Sequence, residues 1–256
     1  MRETLEALKS GELTVEEAEA ALAGYVTGEA GRFDAARETR RGIPEAVYAA
    51  GKTADEIVAL AGTALRTTGR AIVTRVEDDR RASIADRLSE DHPDASVTVH
   101  DRSKVVLAHE AGFEPPTLSA TVAIVTGGTA DRGPAGEAAV IASEMGANVE
   151  RYEDVGVANL TRITDRLEEI RRADVLVVAA GREGALPTVV AGLVDVPVIG
   201  LPVASGYGHG GDGEAALAGM LQSCTVLTTV NVDAGFVAGA HAGLIARSID
   251  AARDRE

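Results

Sequence analysis

The second half of this chain alternates apolar runs with helical segments, and that alternation constrains the fold more than any other feature. Strands that alternate with helices form a parallel sheet with helices on both faces. The strand-like runs are TVAIVTGG (121–128), NVERYEDVG (148–156), DVLVVAAG (174–181), VPVIGLP (196–202) and TVLTTVNV (225–232). The helical segments are 136–146, 158–173, 185–194, 213–223 and 233–254. The pattern predicts an α/β domain with three αβα layers and a parallel sheet, Rossmann- or flavodoxin-like, over residues 118–256.

The first half is less regular and predicts a smaller α+β domain over residues 1–115. TADEIVALAGTALRTTG has helical spacing, and RAIVTRV (70–76) and SVTVH (96–100) are typical of strands. Thr14 and Glu17 have the spacing of a capping box, which predicts a helix over TVEEAEAALAGY. The segment AGFEPPTLS (111–119) contains two adjacent prolines and is interpreted as the linker between the domains.

The net charge of −15 and the sequence pI of about 4.8 limit the possible partners. Because phosphate neutralisation requires a basic face, this balance argues against nucleic-acid binding. The acidic residues are spread along the chain, so we expect a halophilic surface adapted to a salty cytoplasm. No apolar run reaches the roughly 18 residues of a membrane span, and the start shows no apolar signal core. With one cysteine, these features predict a cytoplasmic protein that does not bind membranes.

Small residues follow the predicted strands at the edge where ligands bind in open parallel sheets. Gly127 and Gly128 come between a strand and a helix, so their amides, with Thr129 beside them, are candidates to cradle a phosphate. The loop GYGHGGDG has five glycines, and Gly206 and Gly208 are candidates for close approach to a ligand. Asp131 has three interpretations, which are binding of a ribose hydroxyl, binding of Mg²⁺, or capping of the next helix.

Glu183 and Cys224 are the two residues whose chemistry suits catalysis. Glu183 follows a very apolar strand, and it either complements a helix N-terminus or acts as an acid or base. Cys224 cannot form an intramolecular disulfide, so it is either a small buried residue or a working thiol. His209 and His241 have no second ligand at metal spacing, so the sequence shows no structural zinc site.

Several of these stretches together resemble the LarB family, which makes the precursor of the nickel-pincer nucleotide cofactor. The resemblance rests on GIPEAVYAAGKT (42–53), AIVTGGTAD (123–131), VVAAGREGALPTVVAGLVDVPVI (177–199), SGYG (205–208) and LQSCTVLTTVNVDAGFVAG (221–239). The C-terminal half is also similar to the PurE family, which carboxylates aminoimidazole ribonucleotide. PurE proteins carry a catalytic histidine before Leu-Pro, where this chain has Glu183-Gly-Ala-Leu-Pro.

The resemblance to LarB implies a carboxylase and hydrolase that acts on nicotinic acid adenine dinucleotide, with CO₂ or bicarbonate as the co-substrate. Cys224 would add to C4 of the pyridinium ring, and Glu183 would accept the proton from C5. Lys52 and Arg75 would bind the substrate from the N-terminal domain, as Arg37 and Arg40 also would. The resemblance further implies a homo-octamer of the PurE kind. Cleavage of a phosphoanhydride suggests Mg²⁺.

Two alternatives to this function stay open at the level of sequence. The chain could be a PurE-like aminoimidazole ribonucleotide carboxylase, which the missing histidine disfavours. It could also be a nucleotide-binding module without catalysis, which the glycine loops alone would support. The use of the final cofactor, in lactate racemisation or with another hydroxy acid, stays open as well.

Overall fold

The structure is a computed structural model that describes residues 2–15, 17–18, 22, 24–28 and 30–255. The chain divides into two compact units, Met1–Glu114 and Pro115–Glu256. Each unit has its own buried core. No helix within the described ranges is both long and apolar enough to cross a bilayer.

The N-terminal unit is an α+β domain built on a four-stranded mixed sheet. The sheet has the order β3-β4-β6-β5, in which β3 pairs parallel to β4 and the other pairs are antiparallel. Strands β1 and β2 form a separate antiparallel hairpin. The elements are α1 (Arg2–Ser10), β1 (Val26–Gly28), β2 (Gly31–Phe33), α2 (Arg37–Arg41), β3 (Val47–Tyr48), α3 (Ala54–Thr68), β4 (Arg70–Thr74), α4 (Asp78–Asp91), β5 (Ser96–His100) and β6 (Val105–His109).

Several of these elements follow from local sequence. Helix α3 starts at a capping box in which Thr53 and Glu56 bond each other's backbone, and it buries Ile57 and Leu65. Thr14 and Glu17 form the expected capping bonds, but the helix predicted at 14–25 falls partly on residues outside the described ones. Helix α4, strand β6 and the β1–β2 hairpin were not predicted: α4 is mostly polar, and the two hairpin strands have only three residues each.

The C-terminal unit is the expected three-layer α/β domain with a five-stranded parallel sheet. Its strand order, β8-β7-β9-β10-β11, is the flavodoxin-like order in which the chain reverses direction between β7 and β9. The elements are β7 (Thr121–Thr126), α5 (Arg132–Glu144), β8 (Asn148–Tyr152), α6 (Thr161–Thr164), α7 (Leu167–Ile170), β9 (Val175–Ala180), α8 (Ala185–Ala191), β10 (Val198–Pro202), α9 (Glu214–Leu221), β11 (Thr228–Thr229) and α10 (Gly235–Arg253).

The side chains of the sheet alternate between two apolar layers. Val122 and Ile124 pack with α5 and α10 on one face, and Ala123 and Val125 pack with α6 to α9 on the other. Helices α5 and α10 approach closely, because a side chain at Gly239 would overlap the carbonyl of Ala138. The Ala/Gly-rich face of α10, which is compatible with close helix packing, therefore packs against α5 of the same chain.

Two predicted elements of this unit are corrected. The single helix predicted at 158–173 is two short helices, because the regular bonding four residues back is interrupted between them, where the hydroxyl of Thr164 also bonds the carbonyls of Leu160 and Thr161. The amide of Arg166 then bonds three residues back, to Ile163. The strand predicted at 225–232 is paired only over β11, since hydrogen bonds among Ser223, Thr225 and Thr188 bend the chain before it.

Candidate active site

A cavity of about 520 Å³ opens at the carboxyl ends of β7 and β9 in the C-terminal unit. This position is the point where the strand order reverses, and ligands of open α/β sheets bind in the crevice formed there. Residues from the loops 127–131, 156–158 and 180–186 line the cavity, with Ser205 and Tyr207 from the loop after β10. The expected ligand edge of the sheet therefore does contain a cavity.

Backbone strain is concentrated at the same edge. Among the described residues of this unit, four that are not glycine have a positive φ: Asp154, Arg182, Asp212 and Asp233. Each lies in the loop after a different strand, β8, β9, β10 or β11. Non-glycine residues in the left-handed region cost of order 1–3 kcal/mol each and cluster at functional sites. The strained loops and the cavity thus mark one edge of the sheet.

Asp131 is the centre of the hydrogen bonds that join the loops of the cavity. Its Oδ2 accepts the amide of Gly128 at 2.8 Å, and its Oδ1 accepts the amide of Gly181 at 3.2 Å and the hydroxyl of Ser205 at 3.0 Å. The residue is only 5% exposed. Burial raises the pKa of Asp131, and its hydrogen bonds with Gly128, Ser205 and Gly181 oppose that rise. Asp131 therefore ties the loops after β7, β9 and β10 to one another.

The predicted phosphate cradle needs a correction. Gly127 and Gly128 do line the cavity, as Thr129 does. However, the amide of Gly127 donates to the carbonyl of Ala179 at 3.1 Å, and the amide of Gly128 donates to Asp131. Both N–H groups are thus occupied by the protein's own acceptors. The two glycines line the cavity, but in this structure their amides are not available for the predicted cradle.

Glu183 lines the cavity, and its side chain is exposed. It lies just before helix α8, where Gly184 has a φ of 68° that a larger residue would adopt only with strain. A side chain at Gly219 of α9 would overlap the carbonyl of Glu183, so α9 packs directly against this loop. The backbone of Glu183 is therefore held against α9, while its exposed carboxylate has no hydrogen-bond partner among the described residues.

Cys224 is exposed and is not among the residues that line the cavity. It precedes β11, whereas the cavity lies beyond the carboxyl ends of the parallel strands. Its neighbours include Leu221 and Val226, whose exposed fractions are 67% and 95%. Within one chain, Glu183 thus follows the carboxyl end of a strand, whereas Cys224 precedes the amino end of another.

Arg182, Ser205 and Tyr207 also line the cavity and are not among the residues that the sequence singled out. The available signal was weak: Arg182 is a cation directly after an apolar strand, and Tyr207 is an aromatic residue in a glycine loop. Gly206 packs against the backbone of Arg182, whereas a side chain at Gly208 would meet no atom within 4 Å. Of the two glycines predicted to approach a ligand, only Gly206 is thus held tightly by its neighbours.

Comparisons with known families divide the chain in the same way as its fold does. The AIR carboxylase family matches residues 121–256, and the LarB/PurE-like N-terminal domain matches residues 25–110. The chain belongs to the LarB family. This membership supports a carboxylase-type enzyme that acts on a nucleotide-like substrate.

One relative is similar over nearly the whole chain, and two solved structures are similar over about half of it. An uncharacterized protein of Methanocaldococcus jannaschii is 34% identical over 254 residues, which cover 96% of this chain and 97% of that protein. The solved structure of a serine-to-aspartate variant of Treponema denticola PurE2 is 18% identical, with a TM-score of 0.38, and the match covers 55% of this chain and 96% of that one. The structure of Treponema denticola PurE is 16% identical, with a TM-score of 0.36, and the match covers 52% of this chain and 95% of that one.

Lys52 and Arg75 meet at Tyr48 within the part of the chain that matches the LarB N-terminal domain. The Lys52 ammonium donates to the carbonyl of Tyr48 at 2.7 Å, and the Arg75 guanidinium lies 5.3 Å from the centre of the Tyr48 ring. Strands β3 and β4 are parallel, which brings their carboxyl ends together. Arg75 follows β4 with a φ of 57°. The two predicted cations therefore share one surface of the N-terminal unit.

Arg37 and Arg40 are engaged in local ion pairs. Arg37 pairs with Glu45 at 2.8 Å, and Arg40 pairs with Asp34 through two hydrogen bonds. That pairing raises the pKa of Arg40, first through the hydrogen bond with Asp34 and then through its charge. These two arginines are therefore poorer candidates for a substrate phosphate than Lys52 and Arg75.

The residues around Asp131 do not fit a resident Mg²⁺ ion. Its two oxygens already accept three hydrogen bonds, which use most of the acceptor capacity of a carboxylate. Nowhere in the described ranges do three His, Cys, Asp or Glu side chains form a group that could hold a metal. The requirement for Mg²⁺ stays a prediction.

Proposed function

We propose that this protein carboxylates C5 of the pyridinium ring of nicotinic acid adenine dinucleotide and hydrolyses its phosphoanhydride. The products are pyridinium-3,5-biscarboxylic acid mononucleotide and AMP. One observation carries the choice of substrate: the carboxylate of Glu183 lines the cavity of this carboxylase-family domain, and none of the lining residues in the described part of the chain is a histidine. A site with a carboxylate base and no imidazole favours the pyridinium reaction over carboxylation of aminoimidazole ribonucleotide.

The chemistry requires a nucleophile because an electron-poor pyridinium ring does not attack CO₂. A thiolate that adds to C4 turns the ring into an enamine-like dihydropyridine, whose C5 is nucleophilic. C5 then forms a bond to CO₂ and later loses its proton to a base. Expulsion of the thiolate restores the aromatic ring, so the net change is replacement of the C5 hydrogen by a carboxylate. Water cleaves the phosphoanhydride in a separate step.

Glu183 is proposed as the base that accepts the C5 proton. It lines the cavity, and its side chain is exposed. It lies just before a short helix, and its carboxylate has no ion-pair partner among the described residues. Glu183→Gln keeps the size of the side chain and removes the base. We expect carboxylation to fall by roughly 10²- to 10⁴-fold, the usual contribution of a positioned base, while the thiol adduct still forms. A variant that retains more than about a third of the parent rate would exclude Glu183 as the base.

Cys224 is proposed as the nucleophile, and its position requires a second copy of the chain. Because Cys224 does not line the cavity of its own chain, an adduct in that cavity needs a thiol from a neighbouring subunit. Leu221 and Val226 lie close to Cys224 in the sequence, and their exposed side chains provide apolar surface that such a neighbour would cover. This arrangement agrees with the homo-octamer that the resemblance implies.

Mixing two inactive variants tests the shared site directly. Cys224→Ser retains Glu183, and Glu183→Gln retains Cys224, so each alone should give almost no product. If the two residues come from different subunits, mixed assemblies should regain part of the activity, because some sites combine both intact residues. No regained activity after verified subunit exchange would contradict the shared site. Retained carboxylation by Cys224→Ser alone would contradict the covalent mechanism.

The N-terminal unit is proposed to bind the phosphates of the dinucleotide through Lys52 and Arg75. Their shared position at Tyr48 supports this role, as does the scarcity of lysine in the chain. Lys52→Gln and Arg75→Gln should raise the KM for the dinucleotide and leave the stability of the protein nearly unchanged. An unchanged KM in both variants would assign them to a solvated surface.

Incubation with nicotinic acid adenine dinucleotide, with or without Mg²⁺, tests the function against its alternatives. With labelled bicarbonate, the proposal expects a labelled mononucleotide and AMP. A labelled product formed only from aminoimidazole ribonucleotide would identify a PurE-like carboxylase. Binding of the dinucleotide with no adduct and no product would identify a nucleotide-binding module without catalysis.

A further inference from the structure

The mouth of the cavity carries a cation stacked on an aromatic ring. The Arg182 guanidinium carbon lies 4.2 Å from the centre of the Tyr207 ring. Tyr207 is 77% exposed, and both residues line the cavity. An exposed aromatic ring that covers one face of a guanidinium leaves the edge of that group, with its N–H donors, turned toward solvent or a ligand.

The backbone around this pair is built to hold Arg182 in place. Arg182 has a φ of 50°, in the left-handed region that disfavours a residue with a side chain. A side chain at Gly206 would lie 3.0 Å from the amide nitrogen of Arg182, and one at Gly181 would lie 2.5 Å from the hydroxyl oxygen of Ser205. The loops after β9 and β10 therefore interlock, and strain of this kind persists where surrounding structure enforces it.

Charge makes Arg182 distinctive within the cavity. It is the only Lys, Arg or His among the described residues that line it, beside the carboxylates of Asp131 and Glu183. No carboxylate of the described chain lies within ion-pair distance of its guanidinium. An anionic ligand in this cavity therefore has one positive partner from this chain, and that partner is not neutralised.

We propose that Arg182, held on the ring of Tyr207, binds an oxyanion of the substrate and determines specificity for an anionic nucleotide. A guanidinium presents a planar set of donors that matches both phosphate and carboxylate, so either group of the substrate could be the ligand. The inference rests on the proposed function only in taking a pyridine nucleotide as the substrate. Arg182 is assigned to binding, separately from the proton transfer of Glu183.

Calorimetric titration with inorganic pyrophosphate and with nicotinic acid, without bicarbonate, tests this proposal. Loss of a hydrogen bond to a charged group corresponds to roughly a 10- to 100-fold change in affinity. We expect Arg182→Gln to weaken binding of one probe by that factor. A loss confined to pyrophosphate would assign the phosphate, and one confined to nicotinic acid would assign the carboxylate. Arg182→Lys should fall between, because it keeps the charge and loses the planar stack.

The controls separate anion binding from general effects on the surface. Arg166→Gln removes an exposed arginine that pairs with Glu169 outside the cavity, and it should bind both probes as the parent does. Tyr207→Ala should weaken binding, whereas Tyr207→Phe should preserve it because the ring remains. Binding by Arg182→Gln within twofold of the parent for both probes would overturn the proposal, as would a parent that binds neither. These measurements need no turnover, so they can succeed even if no carboxylated product forms.

Discussion

Replacing Asp131 by alanine tests whether its carboxylate holds the loops of the cavity together. The substitution removes three hydrogen bonds, from the amides of Gly128 and Gly181 and the hydroxyl of Ser205. The Gly181 bond is buried, and a buried donor left unpaired costs about 1–3 kcal/mol. The other two donors can reach water, so their loss costs less, about 0.5–1.5 kcal/mol each. Relief of the buried charge offsets part of this, and we expect a net destabilisation of about 2–4 kcal/mol.

Urea unfolding followed by far-UV circular dichroism measures this change. Asp131→Asn should lie between the parent and Asp131→Ala, because its amide oxygen can still accept some of these bonds. Asp165→Ala is the matched control, since Asp165 is an exposed aspartate outside the cavity, and it should stay within about 0.5 kcal/mol of the parent. Ordinary surface substitutions change the free energy of unfolding by about 0.5 kcal/mol. If Asp131→Ala also changes it by no more than that, the carboxylate does not join the loops.

Three further predictions concern pH, packing and salt. Because burial raises the pKa of Asp131 above 3.8, its stabilising contribution is full below that pH and is lost as the pH rises through the raised pKa. The parent should therefore lose stability relative to Asp131→Asn over that window, and melting curves that diverge in the parent's favour would contradict this. Gly219→Ala should displace the Glu183 loop and destabilise the protein by about 1–3 kcal/mol. Gly192→Ala is the control and should be neutral, because an added side chain there meets no atom closer than 3.5 Å. Equal melting temperatures for the two variants would refute the packing argument. At a net charge of −15, low ionic strength should lower the melting temperature or dissociate the assembly, and identical melting and light scattering from low to molar salt would remove the case for salt adaptation.

The layered fold and the ligand edge of the sheet follow from sequence because their signals are local. β7, β9 and β10 are continuous apolar runs, and a central parallel strand requires such a run. The edge strand β11 is shorter than predicted, since the hydroxyls that bend the chain before it act through contacts with α8. Pairing length at an edge thus depends on tertiary contacts that a single sequence does not display.

The site was predictable in part for the same reason. Asp131 and Glu183 directly follow strands or their turns, so the strand pattern alone places them at one edge. The pairing of Arg182 with Tyr207 joins two loops and depends on the interlocked glycines between them. Cys224 precedes a strand rather than following one, and that order was itself a signal that it would not share its own chain's cavity.

Product analysis with carbon-13 bicarbonate tests the central claim most directly. The account predicts that the protein converts nicotinic acid adenine dinucleotide into AMP and a mononucleotide that carries one labelled carboxylate. It also predicts that the intermediate, trapped by rapid acid quench, is bound to the peptide that contains Cys224. A labelled product with no adduct on that peptide would contradict the covalent role of Cys224. Absence of any labelled pyridine product, with the dinucleotide bound and intact, would contradict the proposed function itself.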